Sequence, residues 1–429
     1  MNEKKLLKNS ESFTNVYSPI WAYTVSEQDE RSDYSYFEFK ILQDTSGNSF
    51  DIGNILVKGP TFPKIGIGQV CFLKGKLVEP KSFDSFDYKL YLKNRKIFLI
   101  LENPIFKCLP VEDDRKGIFV INKLIDFKNK CVNIIDMNLP EPQSSLLSGI
   151  IFGQKRALSE KFETDVRISG VSHIVAASGY NITILILAIN KIFGILKKRW
   201  RIFISIIVIW SFCIISGLSP SILRASIMST IALISLYAGR ENSIHISLPL
   251  AACIFTILKP TIIYDVGFQL SIMATMGLVY LAPSIENFLL KILKVGDFVK
   301  NYILTTFSCT VSTLPITIFT FKTFSIWSIP SNILILPIVE STMFWGILAL
   351  ITSILNPVVS KLVFLVSYVQ LKYFELIVSF VGSLNFGYSD INISIASLLS
   401  ILIIIINICF CIYFYPIDNE KSNYYIKIS

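Results

Sequence analysis

The sequence predicts a polytopic α-helical membrane protein with an N-terminal small β-barrel (OB-like) domain. Three observations carry that prediction. Hydrophobic residues make up 52% of the 429 positions and charged residues only 17%, against about 25% charged in an ordinary soluble domain. The charges are unevenly spread: residues 1–143 carry 20 Lys+Arg and 19 Asp+Glu, which leaves 20 and 12 for the rest out of totals of 40 and 31. Short β-like runs fill the first hundred residues, whereas apolar stretches of helical length succeed one another from residue 172 onward.

The N-terminal elements come first. Residues 1–19 read as a polar tail, and MNEKKLLKNS has no apolar core behind its charges to make a signal peptide. Over 20–109, runs such as YSYFEFKIL (34–42) and QVCFLKGKLV (69–78) alternate or are rich in β-formers. Gly, Asp, Asn and Pro separate them at 44–48, 58–60 and 66–68. Five such strands in so short a span predict a small closed or partly open barrel. Segment 110–143 reads as a charged connector with a helix near 117–127. Segment 143–162 has apolar residues at helical spacing beside Lys155, Arg156, Glu160 and Lys161, as in an amphipathic surface helix or a short packed one.

The membrane region is placed at 144–416, with a polar tail at 417–429. A hydrocarbon core of about 30 Å needs roughly 20 apolar helical residues. Candidate spans lie near 172–194, 201–217, 222–239, 244–259, 261–282, 302–321, 327–355, 358–383 and 393–415. The fourth is short. The seventh is long and holds Pro330 and Pro337, which predicts a broken or re-entrant segment followed by a span. Loop 191–201 carries Lys191, Lys197, Lys198, Arg199 and Arg201 with no acid, which puts it in the cytoplasm and the N-terminal barrel outside.

Eight cysteines form no CxxC pair and no zinc spacing, and two histidines do not make a multi-ligand metal site. An extracytoplasmic N-terminal domain makes a Cys71–Cys108 disulfide available. No GxxxxGK[ST] loop and no HExxH are present, and no cofactor is expected. Nothing in the sequence points to an enzyme.

Polar residues inside spans are costly and mark interiors or water-filled paths. Those singled out are His173, Ser178, Gly179 and Asn181 in SHIVAASGYN (172–181), and Arg224 in SGLSPSILRAS (216–226). Asp265, Gly267 and Gln269 follow in YDVGFQLS (264–271). Pro315, Asn332 and Glu340 come later, and Glu375 lies in the eighth span. Snorkelling, for Arg224 and Asp265, and interhelical hydrogen bonding, for Asn181 and Gln269, are the competing structural readings.

These segments also resemble a known family. LLSGIIFGQKRALSEKFETDVRISGVSHIVAASGYNITIL (146–185), SGLSPSILRASIM (216–228), DVGFQLSIMATMGL (265–278) and TLPITIFTFKTFSIWSIPSNILILPIVE (313–340) resemble, in order and spacing, the motifs of the ComEC family of bacterial competence channels. FDSFDYKLYLKNRKI (83–97) resembles a stretch beside that family's OB-like barrel. The resemblance implies a multi-pass channel of the bacterial cytoplasmic membrane that imports single-stranded DNA during natural transformation. It implies membrane lipid, a separate DNA receptor and a cytosolic DNA translocase as partners, and homo-oligomer formation stays open. By position in the motifs, His173, Ser178, Gly179, Arg224, Asp265, Gly267, Gln269, Pro315 and Asn332 are the channel-core candidates.

Departures limit what transfers. The HxHxDH motif of the nuclease-like domain in longer members is absent. Asn181 stands where the family's SGLH stretch has its histidine. Two alternatives remain beside the channel: an ion-coupled permease using Asp265, Glu340 and Glu375, and a non-transporting assembly protein that keeps the core fold.

Overall fold

The computed structural model describes residues 17–390, except 27, 31–33, 45–52, 61–64, 81–87, 95, 110–115, 155–157, 176–178, 240–243, 259, 284, 287–296 and 385–386. The chain divides into two compact units, one of residues 1–137 with 154–159 and one of residues 138–153 with 160–429.

The first unit is built on strands β1 (Tyr17–Thr24), β2 (Asp29–Glu30), β3 (Ser35–Asp44), β4 (Asn54–Gly59), β5 (Val70–Val78) and β6 (Ile97–Cys108). Their order is β1-β5-β6-β4-β3-β2, and a further β1–β3 pairing closes a five-stranded barrel with β2 as an appendage. All neighbours are antiparallel except β4 and β6. Alternation along β1, β3 and β5 explains the closure, because period-two patterning sends every second side chain inward. Ile20 and Ala22 point in from β1, Phe37 and Phe39 from β3, and Leu73 and Leu77 from β5. A register shift between Lys74 and Lys76 bends β5, and Gly75 sits there because a Cβ would press on the Glu102 carbonyl at 3.2 Å. Cys71 and Cys108 are opposite one another on β5 and β6 and are joined as a disulfide. Helix α1 (Tyr88–Asn94) places Leu92 against Leu56 and Ile97. Helix α2 (Lys116–Asn138) donates from Asn122 to the Ile67 carbonyl.

The second unit is helical. Helix α3 (Gln143–Phe152) has all ten residues buried, so the packed reading holds for 143–152, but the helix stops there and does not run on to 162. It ends on Gly153 in the left-handed region, φ 69°, with the Gly153 N–H on the Gly149 carbonyl. Next come α4 (Glu160–Ile168), α5 (Gly179–Ile192), α6 (Lys198–Ile215), α7 (Pro220–Tyr237) and α8 (Ile244–Leu258). A 3₁₀ turn (Pro260–Tyr264) leads into α9 (Val266–Met276), which runs on through a π turn (Gly277–Leu281). Helices α10 (Asp297–Phe321), α11 (Ser328–Leu355) and α12 (Pro357–Gly382) are the long ones. A two-stranded ribbon pairs β7 (Thr323–Ser325) with β8 (Tyr388–Asp390).

Three described helices are long and apolar enough to cross a bilayer: Tyr302–Phe321, Ser328–Leu355 and Pro357–Gly382. Five more apolar helices are shorter, at 10–17 residues. The candidate span at 393–415 lies outside the described residues. The break expected at Pro330 and Pro337 does not occur, since α11 is continuous over 28 residues. Pro330 lies in the first turn, where backbone N–H groups have no intrahelical acceptor to lose. Pro337 is inside the helix and frees only the Ile333 carbonyl.

Helices α11 and α12 form an antiparallel hairpin around Asn356, whose side-chain oxygen caps α12 by accepting from Val358 N–H at 2.9 Å. The buried positions of α12 are Ser360, Phe364, Ser367, Leu371, Phe374, Val378 and Val381. That spacing of four and three alternately is the seam of coiled-coil-like packing. Val358, Leu362, Val369 and Phe380 point outward and are exposed. An apolar outer face of this kind suits a lipid solvent and not water. The protein is thus a polytopic helical membrane protein bearing a small β-barrel.

Candidate functional site

Arg224 sits one turn into α7, after Pro220 has set the first helical turn. Its position fixes where its guanidinium reaches. Nη1 donates to the Ser271 carbonyl at 2.9 Å and to Thr275 Oγ1 at 2.5 Å, both on α9. Thr275 Oγ1 in turn donates to the same Ser271 carbonyl at 2.9 Å. Arg224 Nε is buried with no hydrogen-bond partner, and no carboxylate among the described residues pairs with the guanidinium. The sequence around it offers none: between Asp165 and Glu241 there is no Asp or Glu. A guanidinium held only by neutral oxygens has no partner here that neutralises its charge.

Gly179, at the start of α5, lies so close to α7 that a Cβ would stand 3.0 Å from Ala225 Cβ. Asp265 is the N-cap of α9, with Oδ1 accepting from the Phe268 N–H at 3.0 Å. Gln269 folds back, and its Nε2 donates to the Ile263 carbonyl at 2.8 Å. Gly267 is exposed in the first turn of α9. Arg224 thus joins α7 to α9 and Gly179 lies against α7, whereas Asp265, Gly267 and Gln269 act within α9 and the turn before it.

The remaining candidates lie elsewhere. Asn181 is buried and donates from Nδ2 to the Ile150 carbonyl at 2.7 Å, tying α5 to α3. His173 is in an exposed turn, and its ring bonds the Gly170 backbone. Ser178 falls outside the described residues. Pro315 is buried within α10. Asn332 is buried at the start of α11 with its Oδ1 unpartnered. Glu340 on α11 is bonded by Tyr302 of α10.

Several structural pairings were not singled out in the sequence. Gln143 donates from Nε2 to Glu375 Oε2, and Lys372 Nζ reaches the same oxygen at 2.8 Å. Gln370 Nε2 bonds Ser341 Oγ at 2.7 Å across the α11–α12 hairpin. Gly277 lies against Ser308 and Ser312 of α10, leaving no room for a side chain. The one sequence signal for Thr275 is its spacing of four from Ser271, which puts both on one helix face. For Gln143 and Glu375, separated by more than two hundred positions, no local signal exists.

The family model described as Competence protein matches residues 150–416, which includes α5 to α12. ComE operon protein 3 of Bacillus subtilis (strain 168) is 25% identical over 336 residues, covering 76% of this chain. The matched part is 40% of that relative's length. No solved structure matches. The resemblance read from the sequence motifs therefore holds over most of the helical unit, including Arg224 and α9. The chain belongs to the Competence protein family, and its function is competence-related.

Proposed function

We propose that this chain is the membrane channel through which single-stranded DNA passes into the cytoplasm during natural transformation. Arg224 carries the reading: a half-buried guanidinium whose hydrogen bonds go to neutral oxygens only, in the segment the family model matches. A conduit for a polyanion needs positive potential, but sparsely, because an ion held too well does not leave. One uncompensated Arg among hydroxyls and carbonyls meets both needs. In this reading the channel lies in the cytoplasmic membrane and the 20–109 barrel outside it, with 110–143 connecting the barrel to the 144–416 membrane domain. A separate receptor delivers DNA, and a separate cytosolic translocase draws it in.

The ion-coupled permease requires an intramembrane carboxylate at liberty to take and release a proton. Glu375 is engaged by Gln143 and Lys372, and Glu340 by Tyr302, which favours structural work for both acids. The deciding experiment is import of labelled single-stranded DNA into a DNase-protected compartment of the native host. Wild-type, deletion and Arg224→Ala strains are compared. The channel predicts no import in the deletion strain and strongly reduced import in Arg224→Ala. Equal import in all three refutes it.

A further inference from the structure

The turn between α5 and α6 concentrates positive charge. It carries Lys191, Lys197, Lys198, Arg199 and Arg201, and no acid lies between Asp165 and Glu241. None of these five cations forms an ion pair among the described residues. Four of them stand at the N-cap and in the first turn of α6, where the helix dipole is positive and a cation gains nothing. Lys197, the N-cap, offers no side-chain cap. Helix stability therefore does not account for them.

Between and beside the cations the side chains are apolar and stand clear of the protein. Ile192 is 66% exposed, Ile195 102% and Trp200 60%. The surface extends to the end of α7, where Arg199 lies 5.7 Å from the ring centroid of exposed Tyr237. Exposed aliphatics would be unfavourable in water, and they have no ring faces on which bases could stack. Branched aliphatics beside Trp, Tyr, Lys and Arg match instead the boundary between acyl chains and headgroups.

We infer that the α5–α6 turn, with the end of α7, is a docking surface for anionic phospholipid. The lysines and arginines meet headgroup phosphates, and Ile192, Ile195 and Trp200 lie among the first acyl carbons. The surface anchors the end of the α5–α7 layer in which Arg224 is set, and it does not depend on the channel reading.

The test uses the full chain in phosphatidylcholine vesicles doped with acyl-labelled dansyl-phosphatidylglycerol or dansyl-phosphatidylcholine. The readout is energy transfer from Trp200, taken as the part lost in Trp200→Phe. The wild type should prefer the anionic lipid about tenfold, given an attraction on the order of one to a few charges. The preference should shrink with added salt. Lys197→Gln/Lys198→Gln/Arg199→Gln/Arg201→Gln should bring it to within about twofold. Lys197→Arg/Lys198→Arg keeps the charge, reports on folding, and should preserve the preference. Equal transfer from the two lipids in the wild type, or an undiminished preference in the Gln variant, overturns the inference. Displacement of dansyl-phosphatidylglycerol by a thymidine oligonucleotide overturns it too, and assigns the turn to nucleic acid.

Discussion

Arg224 of α7 and Thr275 of α9 share one hydrogen bond, 2.5 Å from Nη1 to Oγ1, and the Ser271 carbonyl accepts from both of them. The threonine hydroxyl thus orients the guanidinium while satisfying its own donor. Thr275→Val keeps the shape and removes the acceptor. Its expected cost is about 1–3 kcal/mol, as for a lost hydrogen bond to a charged group. A lower melting temperature in detergent checks it, and Arg224→Ala/Thr275→Val should cost less than the sum of the two single changes.

Asp265 caps α9 and so determines whether its first turn forms in place. Asp265→Ala should destabilise by about 0.5–2 kcal/mol. Asp265→Asn and Asp265→Ser should retain both stability and import, because their side chains also cap. Import abolished by Asp265→Asn at unchanged stability would instead make the carboxylate a functional group.

At Gly277 the start of the π turn after α9 packs closely on α10. A Cβ there would stand 2.6 Å from the Ser308 carbonyl and would also strike Ser312. Gly277→Ala should cost about 1–3 kcal/mol through overpacking. Ser312→Gly should restore part of it, since the hydroxyl can be removed but the carbonyl cannot. Melting temperatures of the single and double variants measure the coupling.

Glu375 accepts from buried Gln143 on α3 and from Lys372 one turn earlier on its own helix. Glu375→Leu leaves the Gln143 amide unpartnered, at a cost of about 1–3 kcal/mol. Glu375→Gln keeps an acceptor for Gln143 and should import DNA at close to the wild-type rate. A proton-coupled permease would lose transport in Glu375→Gln, so this variant separates the two readings.

In the barrel unit, Cys71 and Cys108 are joined and Cys131 is buried. Burial pushes the Cys131 thiol up from its ordinary value. A raised thiol favours its neutral form, so its contribution to stability is complete below the ordinary thiol range and is lost as pH rises above it. Maleimide at neutral pH should label Cys131 far more slowly than a model thiol. The rate should go on climbing at pH values where a free thiol has levelled off.

Much of this was legible because local chemistry dictated it. The alternation in YSYFEFKIL yields a strand with Phe37 and Phe39 inside, and the closing β1–β3 contact follows from several such strands having no other place for their apolar faces. The motif position of Arg224 led to the most suggestive group in the helical unit. Other features were not legible. Pro337 predicts a break, but α11 runs on through the one lost hydrogen bond. Asn181 makes the interhelical hydrogen bond that is one of its two sequence readings, to a carbonyl of α3, but the partner itself has no local signal, and Asp265 caps its own helix. A sequence records that a polar group is present, and only the tertiary structure decides which partner takes it up.

On the channel reading, Arg224 presents an uncompensated positive charge to passing DNA. The rate of DNase-protected import of labelled single-stranded DNA tests this in strains carrying Arg224→Lys, Arg224→Met or the wild-type residue, at matched membrane abundance. The channel predicts that Lys, which keeps the charge but not the forked geometry, retains part of the rate, whereas Met falls at least about tenfold. Import by the Met variant at the wild-type rate would contradict the claim and leave Arg224 as a packing residue between α7 and α9.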